Sequence, residues 1–376
     1  MAKRILITCT DSMMKQFLEP HVRNLAGNGY EVEIACSEVL NRMAEVREDL
    51  GEYARIHLLH LKRSPLAISN IRGYREIKQI IRNGHYDLIW TNEPVMGVAT
   101  RLAARKARKQ GTRVMYMVHG FHFYKGAPLL NWLLFYPIER LMASKADCIC
   151  TINREDYDRA QQMHTARAAY IHGVGIDTER LKAGNHPTDL RNELHLPPEA
   201  FLVLSVGELN ENKNQQIVIR ALARLEDKNI HYILCGKGDQ LENLQALAGE
   251  LDISDRVHFL GYRKDIADIC RQCDLFALPS RREGLPFAAM EAMYCGLPLV
   301  NPGIRGLADI TEDGVSGYVC STEDAGQYTE SIRKLKNNPE LRTRMGNSNR
   351  KTVEVFTVEH TKQEILQLIG ELLQQT

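Results

Sequence analysis

The chain contains 376 residues, of which 44% are hydrophobic and 25% charged, and its formal net charge is +1. This length predicts two domains, and the composition is typical of a soluble globular protein and excludes a disordered, collagen-like or small disulfide-rich chain. The longest apolar stretch, Ala127–Ile138, is shorter than the roughly 20 residues that a membrane span needs. No signal peptide is evident, and nine cysteines without a framework spacing indicate reduced thiols and a cytoplasmic protein.

The small net charge conceals a difference between the two halves of the chain. Residues 1–185 contain 27 basic and 19 acidic side chains, a net of +8, so that the remainder carries −7. The basic residues cluster in two runs, Arg72–Arg82 and Arg101–Arg113, each of which is also typical of a solvated helix face. Because the usual nucleic-acid-binding motifs are missing, the excess favours an anionic membrane surface over DNA or RNA as a partner.

Short β-branched runs alternate with helical patterns along the chain, which predicts parallel sheets built from βαβ units. The segment Gly173–Pro198 has neither periodicity and is the predicted linker between two doubly wound α/β domains. The strands predicted in the first half are Arg4–Thr8, Glu31–Ala35, Arg55–Leu61, Asp87–Thr91, Arg113–Val118 and Asp147–Thr151. Those predicted in the second half are Phe201–Val206, His231–Cys235, Val257–Leu260, Leu275–Leu278, Leu297–Asn301 and Gly317–Val319. Ligands of such sheets bind at the carboxyl ends of the strands.

Two strands of the second half are followed by glycine turns. Gly207 follows the first of them, and Lys213 stands at the start of the next helix, an arrangement suited to an anion. Gly236 and Gly238 follow the next strand, but Leu241 occupies the place of the third glycine of a dinucleotide fingerprint, which argues against a nicotinamide cofactor.

Two carboxylates follow the predicted strand Leu275–Leu278. Glu283 and Glu291 stand eight positions apart, a little over two helical turns, so we expect them to project from nearly the same face. Carboxylates placed in this way can hold a polyol by accepting its hydroxyl hydrogens. The alternatives are dipole compensation for Glu283 and a solvated helix face for Glu291.

The segment that contains Glu283 and Glu291 resembles the nucleotide-sugar segment of retaining GT-B glycosyltransferases of family 4. Further segments resemble that family in the same order along the chain: Gly173–Leu181 as the domain-joining segment, Val206–Lys213 as the phosphate loop, Phe259–Tyr262 beside the nucleobase, Gly303–Gly317 as the closing segment, and Val358–Gln375 as a helix that crosses back to the first domain. The resemblance implies an α/β fold of the GT-B type, with two doubly wound Rossmann-like domains facing across a cleft. Residues 1–185 would bind the acceptor, residues 186–357 the nucleotide-sugar, and 358–376 would form the crossing helix.

The same resemblance assigns roles to individual residues. Lys213 would neutralise the departing phosphate, Glu291 would bind the ribose hydroxyls, and Glu283 a hydroxyl of the donor sugar. His119, in the His-Gly pair after Arg113–Val118, would lie beside the reacting end of that sugar. The predicted catalytic residues are His119, Glu283 and Lys213, and the predicted nucleotide-sugar-binding residues are Gly207, Lys213, Gly238, Tyr262, Glu283, Gly284, Leu285, Pro286, Phe287 and Glu291. Acceptor binding is predicted for Lys15, His122 and Lys125.

Three features depart from the family pattern or need separate interpretation. Glu208 stands where the family usually has an arginine, and Arg281, Arg282 or Arg305 would compensate for it. The first βα loop, Thr10–Lys15, lacks the Gly-Gly pair of many members. The letters Asp156-Tyr157-Asp158 spell D-x-D within a polar helical stretch, which is interpreted as surface, so neither a metal nor a cofactor is predicted.

The sequence therefore predicts a hexosyl- or N-acetylhexosaminyl-transferase that uses a nucleotide-sugar, preferably a UDP-sugar. The blocks His119–Gly126 and Gly207–Lys213 look most like those of bacterial capsular and exopolysaccharide enzymes, which implies a polyprenyl-diphosphate-linked acceptor at the cytoplasmic membrane face. Three alternatives stay open: a soluble acceptor, a non-catalytic nucleotide-sugar-binding protein, and a UDP-sugar epimerase of the same architecture. The apolar segment Trp132–Pro137 is either a buried helix or a helix that dips into a membrane.

Overall fold

The fold is taken from a computed structural model, which describes residues 2–10, 15–38, 43–182 and 188–374, with the side chains of residues 15 and 16 left aside. The chain forms two compact units, one of residues 1–175 together with 358–376 and one of residues 176–357. The sequence analysis placed this boundary ten residues later, after residue 185. Of the predicted linker, residues 183–187 lie outside the described ranges.

The first unit contains a parallel sheet whose strands run in the order β3-β2-β1-β4-β5-β6-β7 within the described ranges. Its strands are β1 (Arg4–Cys9), β2 (Glu31–Ser37), β3 (Ala54–Leu59), β4 (Leu88–Asn92), β5 (Arg113–Val118), β6 (Cys148–Thr151) and β7 (Ala168–Tyr170). Its helices are α1 (Lys15–Gly27), α2 (Met43–Leu50), α3 (Ser69–Gly84), α4 (Pro94–Ala103), α5 (Arg105–Arg108), α6 (Leu129–Ala143), α7 (Arg154–Gln161) and the C-terminal α15 (Val358–Gln374).

The second unit contains a parallel sheet of strand order β10-β9-β8-β11-β12-β13 in the part of the chain that the structure describes. Its strands are β8 (Phe201–Val206), β9 (Ile230–Cys235), β10 (Val257–Gly261), β11 (Leu275–Ala277), β12 (Leu299–Asn301) and β13 (Gly317–Val319). Its helices are α8 (Leu190–Glu193), α9 (Gln216–Ala223), α10 (Leu241–Glu250), α11 (Ile266–Gln272), α12 (Phe287–Cys295), α13 (Ala325–Lys336) and α14 (Pro339–Thr352). Short 3₁₀ turns cover Ser254–Arg256 and Val353–Phe356.

Both sheets have buried central strands, as expected when helices cover both faces of a parallel sheet. In the first unit, Ile5, Leu6 and Ile7 of β1 are fully buried, and in the second unit Leu202 and Val203 of β8 are fully buried. Continuous apolar runs of this kind are the signal from which the strands were predicted, and the two-domain α/β architecture is confirmed.

The C-terminal helix α15 packs within the first unit. Asn24 of α1 donates a hydrogen bond to the Lys362 carbonyl at 3.3 Å, and Arg167 pairs with Glu371 at 2.6 Å. Gly175 lies against the start of the helix, because a Cβ built on it would stand 2.5 Å from Val358 Cα. The chain thus leaves and re-enters the first unit at neighbouring points.

Candidate active site

The central strands of the second sheet define where its site lies. In the strand order β10-β9-β8-β11-β12-β13, the chain continues from β8 to β9 on one side of the sheet and from β11 to β12 on the other side. A crevice therefore opens between the loops that follow β8 and β11. The loop after β8 begins with Gly207 and carries Lys213, and the loop after β11 carries Glu283 and leads into α12. The predicted phosphate and sugar residues therefore belong to the two loops that meet at this switch point.

Lys213 and Glu283 form an ion pair between these loops. The Lys213 Nζ lies 2.6 Å from the Glu283 Oε1, and the two side chains are 21% and 11% exposed, respectively. The Lys213 backbone N–H donates to the Asn210 side chain at 3.0 Å, and the Arg305 Nε donates to the Glu283 carbonyl at 3.1 Å. Two of the three predicted catalytic residues thus meet, each with its backbone held by a hydrogen bond.

Asparagines fasten the loop after β8 to the loop after β11. Asn212 donates to the Arg282 carbonyl at 3.0 Å and accepts from the Arg281 N–H at 2.7 Å. Asn214, whose φ is +54°, donates to the Pro279 carbonyl in the loop after β11 at 3.3 Å and to the Thr322 carbonyl after β13 at 2.9 Å. The sequence analysis missed this role, because an asparagine in a loop gives no sign of which distant carbonyl it bonds.

Glycines allow the neighbouring loops to approach each other closely. A Cβ on Gly238 would lie 2.1 Å from the Leu209 carbonyl oxygen, and one on Gly306, which has a φ of +79°, would lie 2.2 Å from the carbonyl oxygen of Gly284. At Gly207 a Cβ would stand 3.4 Å from the Lys213 side chain. Gly238 therefore allows close backbone packing against Leu209, and Gly306 allows it against Gly284, whereas a side chain at Gly207 would meet only the flexible end of Lys213.

Glu291 lies in the middle of α12 and is buried, so it is not on a solvated helix face. Its carboxylate pairs with Arg180, a partner that the sequence analysis missed. Burial raises the pKa of Glu291, the Arg180 charge and hydrogen bond oppose that rise, and Asp177 adds to it. Glu283 lies in the loop before α12, as expected, and its carboxylate pairs with Lys213, so the two carboxylates have separate cationic partners.

The remaining predicted donor residues surround this arrangement in the second unit. Tyr262 follows β10 and is 70% exposed, Leu285 and Pro286 are buried, and Phe287 begins α12 half-buried. Of the three arginines expected to compensate for Glu208, Arg305 is buried and bonded to the Glu283 loop, whereas Arg281 pairs with Glu323 at 2.5 Å and Arg282 is exposed.

His119 begins the loop after β5 in the first unit. Its Nε2 lies 3.0 Å from the Asn92 Oδ1, and the Asn92 side-chain amide donates to the Thr8 carbonyl at 3.2 Å. Because the Asn92 amide nitrogen donates to the Thr8 carbonyl, the Asn92 Oδ1 faces the His119 ring and accepts a hydrogen bond from its Nε2–H. Burial lowers the pKa of His119 to about 4, so the imidazole is neutral at physiological pH.

Glu93 marks the switch point of the first sheet, where β1 and β4 lie side by side. Its carboxylate accepts from the Thr10 N–H at 2.5 Å and lies 3.1 Å from the Arg63 guanidinium. Its backbone has a φ of +63° and a ψ of +152°, a strained conformation for a residue with a side chain. Such strain clusters at functional sites, and the letters Asn-Glu-Pro in the sequence gave no sign of it.

The loop after β5 also carries two of the predicted acceptor residues. The His122 ring stacks on Phe135 with a centroid separation of 4.4 Å, and Lys125 is exposed, with its N–H donating to Glu155 at 2.6 Å. The Lys15 side chain and residues 11–14 of the first βα loop lie outside the described part of the chain.

The interpretation of the D-x-D segment as surface is wrong for its first residue. Asp156 is fully buried and accepts from the Phe121 N–H at 3.1 Å and from the Asn153 amide at 2.8 Å. Asp156 therefore positions the loop that carries His119, while Asp158 is exposed.

Two Rossmann-like units, each built on a parallel sheet, are the architecture of the GT-B class of glycosyltransferases. Residues 14–188 match the family model described as a glycosyl transferase 4-like domain, and residues 188–352 match that of the glycosyl transferases group 1. The chain is 35% identical over 372 residues to the putative glycosyltransferase EpsD of Bacillus subtilis strain 168, covering 97% of this chain and 96% of that one. The chain therefore belongs to the glycosyltransferase family that these two models describe.

More distant proteins are similar over most or all of the chain. The UDP-Gal:alpha-D-GlcNAc-diphosphoundecaprenol alpha-1,3-galactosyltransferase of Escherichia coli is 23% identical, with 89% of this chain and 87% of that one covered. The crystal structure of Anabaena HepE in complex with UDP and glucose has a TM-score of 0.79 at 19% identity, covering 98% of this chain and all of that one. Sucrose-phosphate synthase from Thermosynechococcus elongatus has a TM-score of 0.80 at 19% identity, with both chains fully covered.

Proposed function

We propose that this protein is a retaining glycosyltransferase that transfers a hexosyl or N-acetylhexosaminyl group from a UDP-sugar to a polyprenyl-diphosphate-linked glycan in cell-surface polysaccharide synthesis. The observation that carries the proposal is the Lys213–Glu283 pair at the switch point, with Glu291 in the helix that follows. The names of relatives support the substrates: the Escherichia coli protein is named for UDP-galactose and a diphosphoundecaprenol acceptor, and HepE binds UDP.

Lys213 is the group that would stabilise the departing diphosphate. An ammonium carries three N–H donors, and one of them is directed at the Glu283 Oε1, which leaves the others for phosphate oxygens. A fixed positive charge beside the oxygen on which negative charge develops favours the transition state. Glu283 holds that charge in position and would also accept a hydroxyl hydrogen from the donor sugar.

Glu291 would bind the ribose of the donor. Its carboxylate is buried, and the charge of Arg180 opposes the effect of that burial on its pKa. Because the Arg180 side chain is 66% exposed, it can shift to admit the ribose hydroxyl groups while remaining near the carboxylate. The backbone N–H groups around Leu285–Phe287, at the start of α12, would meet the remaining sugar oxygens.

His119 would contribute an acceptor atom from the first unit. Its Nε2–H is directed at Asn92, so the Nδ1 carries the lone pair and can accept a hydrogen from a hydroxyl group of the donor sugar. The lowered pKa keeps this nitrogen unprotonated at working pH. Such a contact would orient the sugar while its reacting carbon acquires positive charge.

The transfer step then exchanges one bond for another at the anomeric carbon. The bond from that carbon to the diphosphate oxygen breaks, and the acceptor hydroxyl oxygen forms a bond on the same face of the sugar. The proton of the hydroxyl passes to the departing phosphate oxygen, and the charge left on the diphosphate is neutralised by Lys213. Attack from the same face retains the configuration of the donor.

A membrane-bound acceptor is supported by an exposed apolar surface on α6, which we call the α6 surface. The aromatic side of α6 packs on Phe123, so Trp132 and Tyr136 are half-buried against the core of the first unit. The opposite side exposes six aliphatic side chains, each between 49% and 73% accessible. These side chains are Leu129, Leu130, Leu133, Leu134, Ile138 and Leu141. Among the described helices, none combines the length and the apolarity that crossing a bilayer requires.

The helix α5 brings basic residues near the α6 surface, and basic residues of α3 and α5 line a common cavity. Arg108 of α5 joins Asp147 at 2.7 Å and the Ser144 carbonyl at 3.3 Å, which places α5 beside the C-terminal end of α6. A cavity of about 650 Å³ is lined by Lys78, Arg82 and Lys106, so the two predicted basic runs meet. The first unit holds 26 basic and 20 acidic residues, and the second holds 22 and 27.

One residue of the basic runs differs from the sequence interpretation. Arg101 is fully buried and pairs with Glu139 of α6 at 2.8 Å, so it is not part of a solvated or lipid-facing surface. We propose that the α6 surface enters the headgroup layer while the exposed cations contact anionic lipid, each contributing about 1 kcal/mol.

Sedimentation with vesicles of anionic and of neutral lipid tests this attachment. Binding should require anionic lipid and weaken with salt, because charge interactions are screened over about 10 Å at 0.1 M and about 3 Å at 1 M. Replacing Leu130, Leu133 and Leu134 with serine should abolish it, whereas Val315→Ser, on an exposed site of the second unit, should not. Absence of binding by the wild-type protein at low salt would contradict the membrane proposal and favour a soluble acceptor.

The transfer itself is tested by UDP release from UDP-glucose, UDP-galactose and their N-acetyl forms. We expect release to rise strongly when a polyprenyl-diphosphate-linked sugar is added, and little when the same sugar is added without the lipid. Equal stimulation by the lipid-free sugar would identify a soluble acceptor. Binding of UDP-sugars with no release under any condition would identify a non-catalytic binding protein, and interconversion of the sugars an epimerase.

A further inference from the structure

Three side chains of the first unit that ligate metals in other proteins meet where α15 packs beside the end of β7. His172 follows β7, and His360 and Glu364 stand one turn apart on α15 and therefore on one face of that helix. The His172 Nδ1 lies 2.8 Å from the Glu364 Oε1, and the His360 Nε2 lies 3.6 Å from the same oxygen. All three potential ligand atoms lie within 4.8 Å of one another.

These separations match what a small transition-metal ion requires. Zinc binds imidazole nitrogen and carboxylate oxygen at about 2.0–2.2 Å, so neighbouring ligand atoms of a tetrahedral site are about 3.3 Å apart. The two distances to the Glu364 Oε1 bracket that value, the two histidine nitrogens lie within 4.8 Å of each other, and small side-chain rotations would bring all three separations to it. Each of the three side chains is partly exposed, so water can reach the remaining coordination position.

The carboxylate is also oriented as that of a metal ligand is. The Glu364 Oε2 accepts from the His172 backbone N–H at 3.0 Å, which leaves the Oε1 directed towards the two imidazoles. Bonding the second oxygen of a ligand carboxylate in this way is how proteins fix the ligand's direction.

We propose that His172, His360 and Glu364 bind a divalent transition-metal ion, with Zn²⁺ the best match to two imidazoles and one carboxylate. The ion would connect the segment after β7 to α15. Gly175, three residues after His172, lies against Val358 and Thr361 at the start of the same helix. The metal would therefore fasten the C-terminal helix to the first unit at the place where the chain leaves and re-enters it. The role is structural and separate from the sugar-transfer chemistry.

Zinc titration of the full-length, untagged, chelator-stripped protein tests the site, with a zinc-binding dye as competitor. We expect one equivalent to bind and the melting temperature to rise. His360→Ala removes one ligand but keeps the hydrogen bond between His172 and Glu364, and it should weaken binding by more than about tenfold and remove the thermal shift. His164→Ala, at an exposed histidine of the same unit, is the matched control and should behave as wild type.

Cobalt substitution provides a second measurement that does not depend on stability. Bound Co²⁺ should give visible absorption bands with nitrogen and oxygen ligands, and these bands should be absent in His360→Ala. Equal zinc affinity and equal cobalt spectra in the wild-type protein and in His360→Ala would overturn the proposal, as would a wild-type protein that binds neither ion. In that case the three residues form only a hydrogen-bonded cluster.

Discussion

The two units can be compared at the same topological point, since each sheet places its first and fourth strands side by side. In both, a glutamate follows the fourth strand: Glu93 after β4 and Glu283 after β11. The carboxylate of Glu283 faces the ammonium of Lys213 at 2.6 Å, whereas that of Glu93 faces the Thr10 backbone N–H at 2.5 Å and the mostly exposed Arg63.

This difference bears on the proposed donor site, because the two glutamates have different partners. Lys213 brings a half-buried cation to the second switch point, where a diphosphate can be neutralised, and the first switch point has a strained backbone and a neutral histidine nearby. This contrast supports the proposal that the second unit binds the leaving diphosphate, since the cation paired with Glu283 is largely buried and the one near Glu93 is mostly exposed.

The largest effect is expected from loss of the Lys213 charge. Lys213→Ala should lower the rate of UDP release by about 10²–10³-fold, the usual cost of removing one group that stabilises developing negative charge. Lys213→Arg keeps the charge with a different geometry and should retain part of the activity. Lys228→Ala, an exposed lysine that precedes β9, is the control. If neither Lys213 variant differs from wild type, the diphosphate is held elsewhere, with Arg305 the next group to test.

Glu291→Ala should weaken UDP-sugar binding by roughly tenfold or more, because a charge-assisted hydrogen bond to the ribose contributes about 1.5–3 kcal/mol. Calorimetric titration measures this directly. Glu250→Ala, at an exposed glutamate of α10, should bind as wild type does. Unchanged affinity in Glu291→Ala would remove Glu291 from the ribose site and leave Lys213 and Glu283 as the core of the donor site.

The raised pKa of Glu291 predicts a pH dependence of the same binding. Protonation removes the carboxylate's charge, so affinity for a UDP-sugar should fall on acidification at a pH above that at which an ordinary glutamate, with a pKa near 4.5, is protonated. A UDP-sugar is the correct probe, because its diphosphate has no terminal phosphate that titrates in this range. Glu291→Gln should bind more weakly and lose this dependence, and an identical pH profile in both proteins would contradict the assignment.

The smallest effect is expected at the first switch point. Glu93→Gln keeps an acceptor oxygen for Thr10 but removes the charge, so we expect transfer to fall roughly two- to tenfold, the range of one weakened hydrogen bond. Nucleotide-sugar binding by the second unit should not change. A loss of UDP-sugar affinity in Glu93→Gln as large as that in Glu291→Ala would break the comparison, because the two switch points would then not act separately.

Much of the fold was predictable from the sequence, because strands buried in parallel sheets appear as continuous apolar runs. All twelve predicted strands are present, with ends that differ by at most two residues. The missed strand β7 has three residues, two of them alanine, and neither its length nor its composition distinguishes it from a loop. The predicted helix Val358–Gln375 is also present, as α15.

The candidate site was predictable only where local sequence carries the chemistry. Glycine turns, Lys213 and the two glutamates can be identified from spacing and from resemblance, whereas their partners come from distant parts of the chain. Arg180 lies 111 positions before Glu291, and Asn92 lies 27 before His119. The burial of Arg101 and Asp156 likewise depends on Glu139 and Phe121, which no periodicity connects to them. The strained backbone of Glu93 has no local signal at all.

The central claim is that the second unit binds a nucleotide-sugar through Lys213, Glu283 and Glu291. Calorimetric titration of the wild-type protein and of Glu291→Ala with UDP-, GDP- and ADP-glucose tests this claim most directly. We expect UDP-glucose to bind the wild-type protein most tightly and Glu291→Ala to bind it at least about tenfold more weakly. Wild-type protein that binds none of the three, or a Glu291→Ala protein that binds all three as wild type does, would contradict it.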